Sequence, residues 1–145
     1  MTAHAKLSAS GSAKWLVCTP SANLEATLPD EDSEFAKEGT FAHAVFEQAL
    51  LMMLSRPTEP LPKDLLHFDT AELREYVAEA VNVAWDRIND AYSRCKDPVI
   101  LVEQRLDFSM WVPEGFGTGD LVIITDGLVE VMDLKYGKGI YVDPM

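Results

Sequence analysis

The dipeptide Asp126-Gly127, set between two runs of β-branched and aliphatic residues, constrains the fold of this chain more than any other feature. An Asp-Gly pair in that setting is a strong signal for a two-residue hairpin turn, because glycine takes the left-handed backbone such turns need. Leu121 to Thr125 and Leu128 to Lys135 are therefore predicted to fold back on each other as antiparallel strands. The turn also sets the register. Thr125 faces Leu128, Ile124 faces Val129, Val122 faces Val131, and Asp120 faces Asp133. Side chains alternate between the two faces of a strand, so Asp120, Val122 and Ile124 share a side with Val129, Val131, Asp133 and Lys135. Two carboxylates and a lysine are expected at the open end of an otherwise apolar face.

Upstream of Pro98 the hydrophobic period is helical. Thr70 is a suitable cap for a helix of about Ala71 to Cys95, with apolar residues at Leu73, Tyr76, Val77, Ala80, Val81, Ala84, Ile88, Ala91 and Tyr92, in steps of three and four. Asp32 or Ser33 can cap an earlier helix from about Glu34 to Leu54, with Phe35, Phe46, Ala49, Leu50 and Met53 as its candidate core residues. Between the two, Pro57, Pro60 and Pro62 exclude helix and mark a linker within the domain. A short helix over Ser12 to Leu16, ending before Pro20, and an acidic loop from Leu28 to Ser33 complete the N-terminal part. Val99 to Phe108 reads as a further strand. Helices followed by strands joined through tight turns predict an α+β domain, with N-terminal helices packed on a mostly antiparallel sheet. Residues 1–145 are expected to form one domain: an N-terminal segment and loop (1–32), a helical part (33–95) and a sheet carrying the hairpin (98–145).

The chemistry follows from the hairpin. Like charges placed directly opposite each other in a sheet are destabilising, and more so when buried. A hard divalent cation held between them removes that penalty, and oxygen ligands with room for water suit Mg²⁺ or Mn²⁺. A lysine two residues from a metal-binding aspartate can orient or activate an attacking water, or stabilise charge developing on phosphorus. The plainer alternative is that Asp120 ends a strand in the glycine-rich turn Gly115 to Gly119, while Asp133 and Lys135 pair at an exposed strand end.

Gly117-Thr118-Gly119-Asp120, the apolar hairpin and Asp133-Leu134-Lys135 together resemble the GxxD and (D/E)XK core of the PD-(D/E)XK nucleases, in their RecB-like branch. That branch includes CRISPR-associated and lambda-type exonucleases, and the string GTGDLVIITDGLVEVMDLKYGKG is most similar to phage and prophage members. The resemblance implies a restriction-endonuclease-like core, Asp120 and Asp133 as metal ligands, the Leu134 carbonyl as a further ligand, and Lys135 as the catalytic lysine. It extends to Gly39-Thr40-Phe41-Ala42-His43, which matches the GxxxH helix of RecB-like enzymes. His43 would reach the metal or the scissile phosphate, and Gly39 would allow close approach to the sheet. Gly39, His43 and Glu47 are spaced by four and lie along one side of a helix. Glu47 either orients His43 or faces solvent. Glu103 falls in a strand where these families often carry a glutamate, and is either a supporting group or a solvated edge position. The implied activity is metal-dependent hydrolysis of linear single- or double-stranded DNA by an exonuclease of phage or prophage origin.

The same family places a serine-rich segment and a cysteine near the N-terminus, which Ser8, Ser10 and Cys18 resemble. An iron–sulfur cluster would need three more ligands and only Cys95 is left, so both thiols are expected to be free. Gly137-Lys138-Gly139 lacks the phosphate-loop pattern, and Gly115 to Gly119 opens no helix, so neither is a nucleotide motif. RecB-like enzymes continue past the lysine into a QxxxY helix. That part is absent here, so the expectation is an incomplete C-terminal portion, with an unfinished sheet edge open to strand exchange or homodimerisation. No apolar run is long enough to span a bilayer and no signal-peptide pattern opens the chain, so a cytoplasmic protein without a membrane partner is expected. A net charge of −12 works against non-specific affinity for DNA. It keeps open a second reading, a catalytically silent binding or assembly module derived from the nuclease.

Overall fold

The computed structural model describes residues 5–8, 11–28 and 33–137. Helices α1 (Ser12–Val17), α2 (Ser21–Glu25), α3 (Glu34–Met53) and α4 (Ala71–Arg94) come first, with a 3-10 helix over Lys63–Phe68 between the last two. Strands β1 (Val99–Asp107), β2 (Phe116–Thr125) and β3 (Leu128–Met132) follow and form one three-stranded sheet in the order β1-β2-β3. The protein is α+β, as the sequence predicts. Its chain divides into two compact units, residues 1–31 with 104–119 and residues 32–103 with 120–145.

In the second unit, the two long helices start where side-chain caps satisfy their free amides. The Ser33 hydroxyl accepts from the Ala36 amide, and the Thr70 hydroxyl from the Leu73 amide, each cap contributing about 1 kcal/mol. Of the two capping candidates for α3, Asp32 lies outside the described residues. α4 buries Leu73, Val77, Val81, Ala84, Ile88 and Ala91, a stripe at the helical period. Tyr76 and Tyr92, expected on that stripe, are exposed. α3 buries Phe41, Ala42, Val45, Phe46 and Leu50. Phe35 and Met53, expected in the core, sit on its first and last turns and are exposed, because terminal turns have fewer neighbours to cover them. These stripes meet Ile100 of β1, Leu121 and Ile123 of β2, and Leu134 in one hydrophobic core. Burying each large side chain contributes about 1.5–3 kcal/mol.

The hairpin register is the predicted one: Thr125 opposite Leu128, Ile124 opposite Val129, and Val122 opposite Val131. Gly127 takes φ +77°, a conformation that favours glycine. Three expectations need correction. β2 begins at Phe116, so the glycine-rich stretch is strand rather than turn, and Asp120 lies inside the strand instead of ending it. β3 stops at Met132, so Asp133 and Lys135 are not strand residues, and the ladder ends with Leu121 opposite Met132. The face that joins the core is the other one, carrying Leu121, Ile123, Met132 and Leu134. On the side shared by Asp120 and Asp133, Val122 is buried but Ile124, Val129 and Val131 are exposed.

In the first unit, the short helices α1 and α2 are tied by an ion pair between Lys14 and Glu25, and the Trp15 indole donates to the Ser8 carbonyl. The loop joining β1 to β2 closes through the Phe108 amide on the Gly115 carbonyl. Gly115 sits so close beneath the Phe108 ring that a Cβ there would lie 2.6 Å from it. Arg105 stacks on the Phe116 ring at 3.9 Å from its centre, a cation–π contact. Cys18 and Cys95 are free thiols, and Cys95 follows the end of α4 rather than lying within it.

Candidate active site

Asp120 is the one charged or polar residue buried among those described, at 4% exposure. An isolated carboxylate so placed would be costly, and two hydrogen bonds offset that cost. One Asp120 oxygen lies 2.9 Å from His43 Nδ1 on α3. The other accepts the Leu134 amide at 2.6 Å. A strand, a helix 77 residues upstream and the segment following β3 thus converge on a single carboxyl group.

The end of β3 follows from this contact. Beyond Met132 the chain runs without ladder hydrogen bonds, and the Asp120 side chain takes the Leu134 amide that a backbone carbonyl would otherwise hold. Leu134 is buried in the core, which anchors the segment between its two charged neighbours. Asp133 and Lys135 are exposed, and Lys135 Nζ lies 2.5 Å from Asp133 Oδ2. The Lys135 carbonyl accepts a 2.6 Å hydrogen bond from the Tyr76 hydroxyl of α4. Tyr76 also meets Tyr136 edge to face, with ring centres 5.1 Å apart. The helical period groups Tyr76 with the core residues of α4. Nothing local could reveal a partner 59 residues away.

The electrostatics link the other candidates to the same place. His43 is held in its charged form above the ordinary imidazole value, first by its hydrogen bond to Asp120 and then, against the cost of burial, by the charges of Asp120, Glu103 and Asp133. Glu103 is pushed up first by partial burial, then by the like charges of Asp120, Glu47 and Asp133, with His43 opposing. Glu47 is raised first by burial and then by the charge of Glu59, and its own charge bears on Glu103. The Glu103 carboxyl is within reach of the charges of His43, Asp120 and Asp133. Glu103 adopts φ +51° in the middle of β1, a left-handed conformation that costs a non-glycine residue about 1–3 kcal/mol and that gathers at functional positions. Gly39 makes no tight approach to the sheet: a Cβ there would meet the Tyr136 carbonyl at an ordinary 3.9 Å.

Asp120, Asp133, Glu103, the Leu134 carbonyl and the His43 imidazole make a donor set suited to a hard divalent cation. Burial raises Glu103 first and the like charges of Asp120, Glu47 and Asp133 second, and such an ion would relieve the second. Among the described residues, however, no three histidine, cysteine, aspartate or glutamate side chains converge closely enough to hold an ion as they stand. His43 pairs with Asp120 and Lys135 with Asp133 instead.

A family model described as "Protein of unknown function (DUF2800)" matches residues 4–145, and the chain belongs to that family. No solved structure matches it.

Proposed function

We propose that the protein is a metal-dependent nuclease of the PD-(D/E)XK type, hydrolysing phosphodiester bonds in DNA, with the RecB-like exonucleases of phage and prophage as its relatives. The observation that carries this reading is the meeting of three separate sequence motifs on one buried carboxylate. Asp120 of GxxD touches His43 of GxxxH and the Leu134 amide of the Asp133-Leu134-Lys135 motif.

Asp120, Asp133, the Leu134 carbonyl and His43 would hold Mg²⁺ or Mn²⁺, with Glu103 and Glu47 as supporting groups. The ion would supply Lewis-acid stabilisation and lower the pKa of a bound water. Lys135 carries the one ammonium group of the motif. Freed from Asp133, it orients the attacking water or neutralises charge on the phosphate oxygens. The partner in this reading is linear DNA. β3 pairs with β2 alone among the described residues, and its other side is where a second copy of the chain would add a strand. None of the helices described is long and apolar enough to cross a membrane.

A second reading, a binding or assembly module that has lost catalysis, is favoured by the net charge of −12 and by ligands that do not yet converge. One assay separates the two. Linear single- and double-stranded DNA are incubated with Mg²⁺ or Mn²⁺ and the wild type, Asp133→Ala or Lys135→Ala. The nuclease reading expects metal-dependent cleavage that both substitutions abolish. Equal background in all three leaves the silent module.

A further inference from the structure

We propose that Tyr76 is a positioning residue for Lys135, clamping the backbone that presents the lysine. The inference rests on the nuclease reading of Lys135 and adds a residue from a helix that reading does not use.

The lysine needs such a clamp because its segment has lost the usual support. β3 ends at Met132, so no ladder hydrogen bond holds residues 133–136 in place. A catalytic side chain must nevertheless be held within a fraction of an ångström of its working position. Two side-chain hydrogen bonds do this, on either side of the peptide joining Leu134 to Lys135. Asp120 takes the Leu134 amide at 2.6 Å. The Tyr76 hydroxyl donates to the Lys135 carbonyl at 2.6 Å. Leu134 is sunk into the core between them. Tyr76 is also fixed at its ring, which stands edge-on to Tyr136.

Tyr76 therefore has a reason to sit half-exposed on α4, off the buried stripe. Together with Phe46, Ala80, Val83 and Met132 it walls an apolar groove of about 310 Å³ whose rim is Asp133, Leu134 and Lys135. The lysine side chain itself is 72% exposed and reaches Asp133 Oδ2 at 2.5 Å.

The test compares Tyr76→Phe, which removes only the hydroxyl, with Tyr76→Ala, which also removes the ring. Two quantities are read. The first is the initial rate of tryptic cleavage at the Lys135–Tyr136 bond under native conditions, which reports release of the clamped carbonyl without any reference to activity. The second is kcat and KM for metal-dependent DNA cleavage, with melting temperature as a folding control. Losing one hydrogen bond of ordinary strength predicts about a fivefold faster tryptic cut in Tyr76→Phe. It also predicts a comparable fall in kcat with KM and melting temperature close to wild type. A Tyr76→Phe variant that matches wild type in both quantities, with losses confined to Tyr76→Ala, overturns the proposal in favour of ring packing alone. A faster tryptic cut with unchanged kcat also overturns it, since the clamp would then not serve the lysine. If the wild type shows no metal-dependent cleavage, the nuclease reading fails and the positioning role fails with it. The tryptic rates then show separately whether the hydrogen bond holds the segment.

Discussion

Asp120 ties three segments together through one side chain. Replacing it with alanine strands the buried Leu134 amide and removes the partner of His43, so Asp120→Ala is expected to destabilise the fold by about 1–3 kcal/mol. Asp120→Asn keeps an oxygen able to accept from Leu134 and is expected to cost less, while losing the charge a cation needs. Chemical denaturation of the two variants beside Mn²⁺ titrations checks both halves. Equal stability loss in the two would mean that charge, and not the hydrogen bond, holds the segment. Glu103 presents the opposite balance. Its left-handed backbone and the acids facing it are liabilities for folding. Glu103→Gly is expected to be about 1 kcal/mol more stable than Glu103→Ala, which keeps the strained φ, while both bind Mn²⁺ more weakly than wild type. Matching stabilities for the glycine and alanine variants would show that the backbone stores no strain.

At the level of elements, turn chemistry and periodicity were legible because they are local. Asp126-Gly127 fixed the register down to individual pairs, and the spacing of Leu73, Val77, Val81 and Ala84 marked the inner side of α4. The face of the hairpin was not legible. Leu121 to Ile124 is apolar on both sides, so alternation alone does not say which side the helices cover. Glu130 lies opposite Ile123 on the helix-covered side, where Arg94 at the end of α4 neutralises it at 2.8 Å. An ion pair between residues 36 apart overrode the alternation rule, and no pattern within a strand reports such a partner. The early end of β3 has the same origin, a side chain from β2 replacing a ladder bond. His43, Asp120, Asp133 and Lys135 could be singled out because the motif spacing names them, whereas Tyr76 and the backbone of Glu103 act through tertiary contacts alone. The turn supplies its own check. Gly127→Ala forces a Cβ into φ +77° and is expected to cost about 1 kcal/mol. If the hairpin organises the site, Mn²⁺ affinity should fall with it. Urea denaturation and a metal titration measure the two, and an unchanged midpoint would show that the turn tolerates a side chain.

At the scale of the whole molecule, the acidic balance and the raised groups combine into one dependence on pH. Glu103 and Glu47 titrate above the ordinary carboxylate value of 4.5, and His43 above the imidazole value of 6.5. For each, the folded state holds its proton more tightly than the unfolded chain does. Stability from these groups is therefore fully present below the unfolded values and is lost as pH rises through the folded ones. The metal-free protein is expected to lose melting temperature first above about pH 4.5, from the two glutamates, and again above about pH 6.5, as the His43–Asp120 pair loses its proton. His43→Gln should flatten only the second fall. Mg²⁺ or Mn²⁺ would compete with protons for the same carboxylates and imidazole, so its stabilising effect should grow as pH rises and vanish on chelation. An ion at a hundred times its dissociation constant adds about 2.7 kcal/mol. A melting temperature that stays level across this range, and does not respond to either ion or to its removal, would overturn the binding of a divalent cation by His43, Glu103, Asp120 and Asp133.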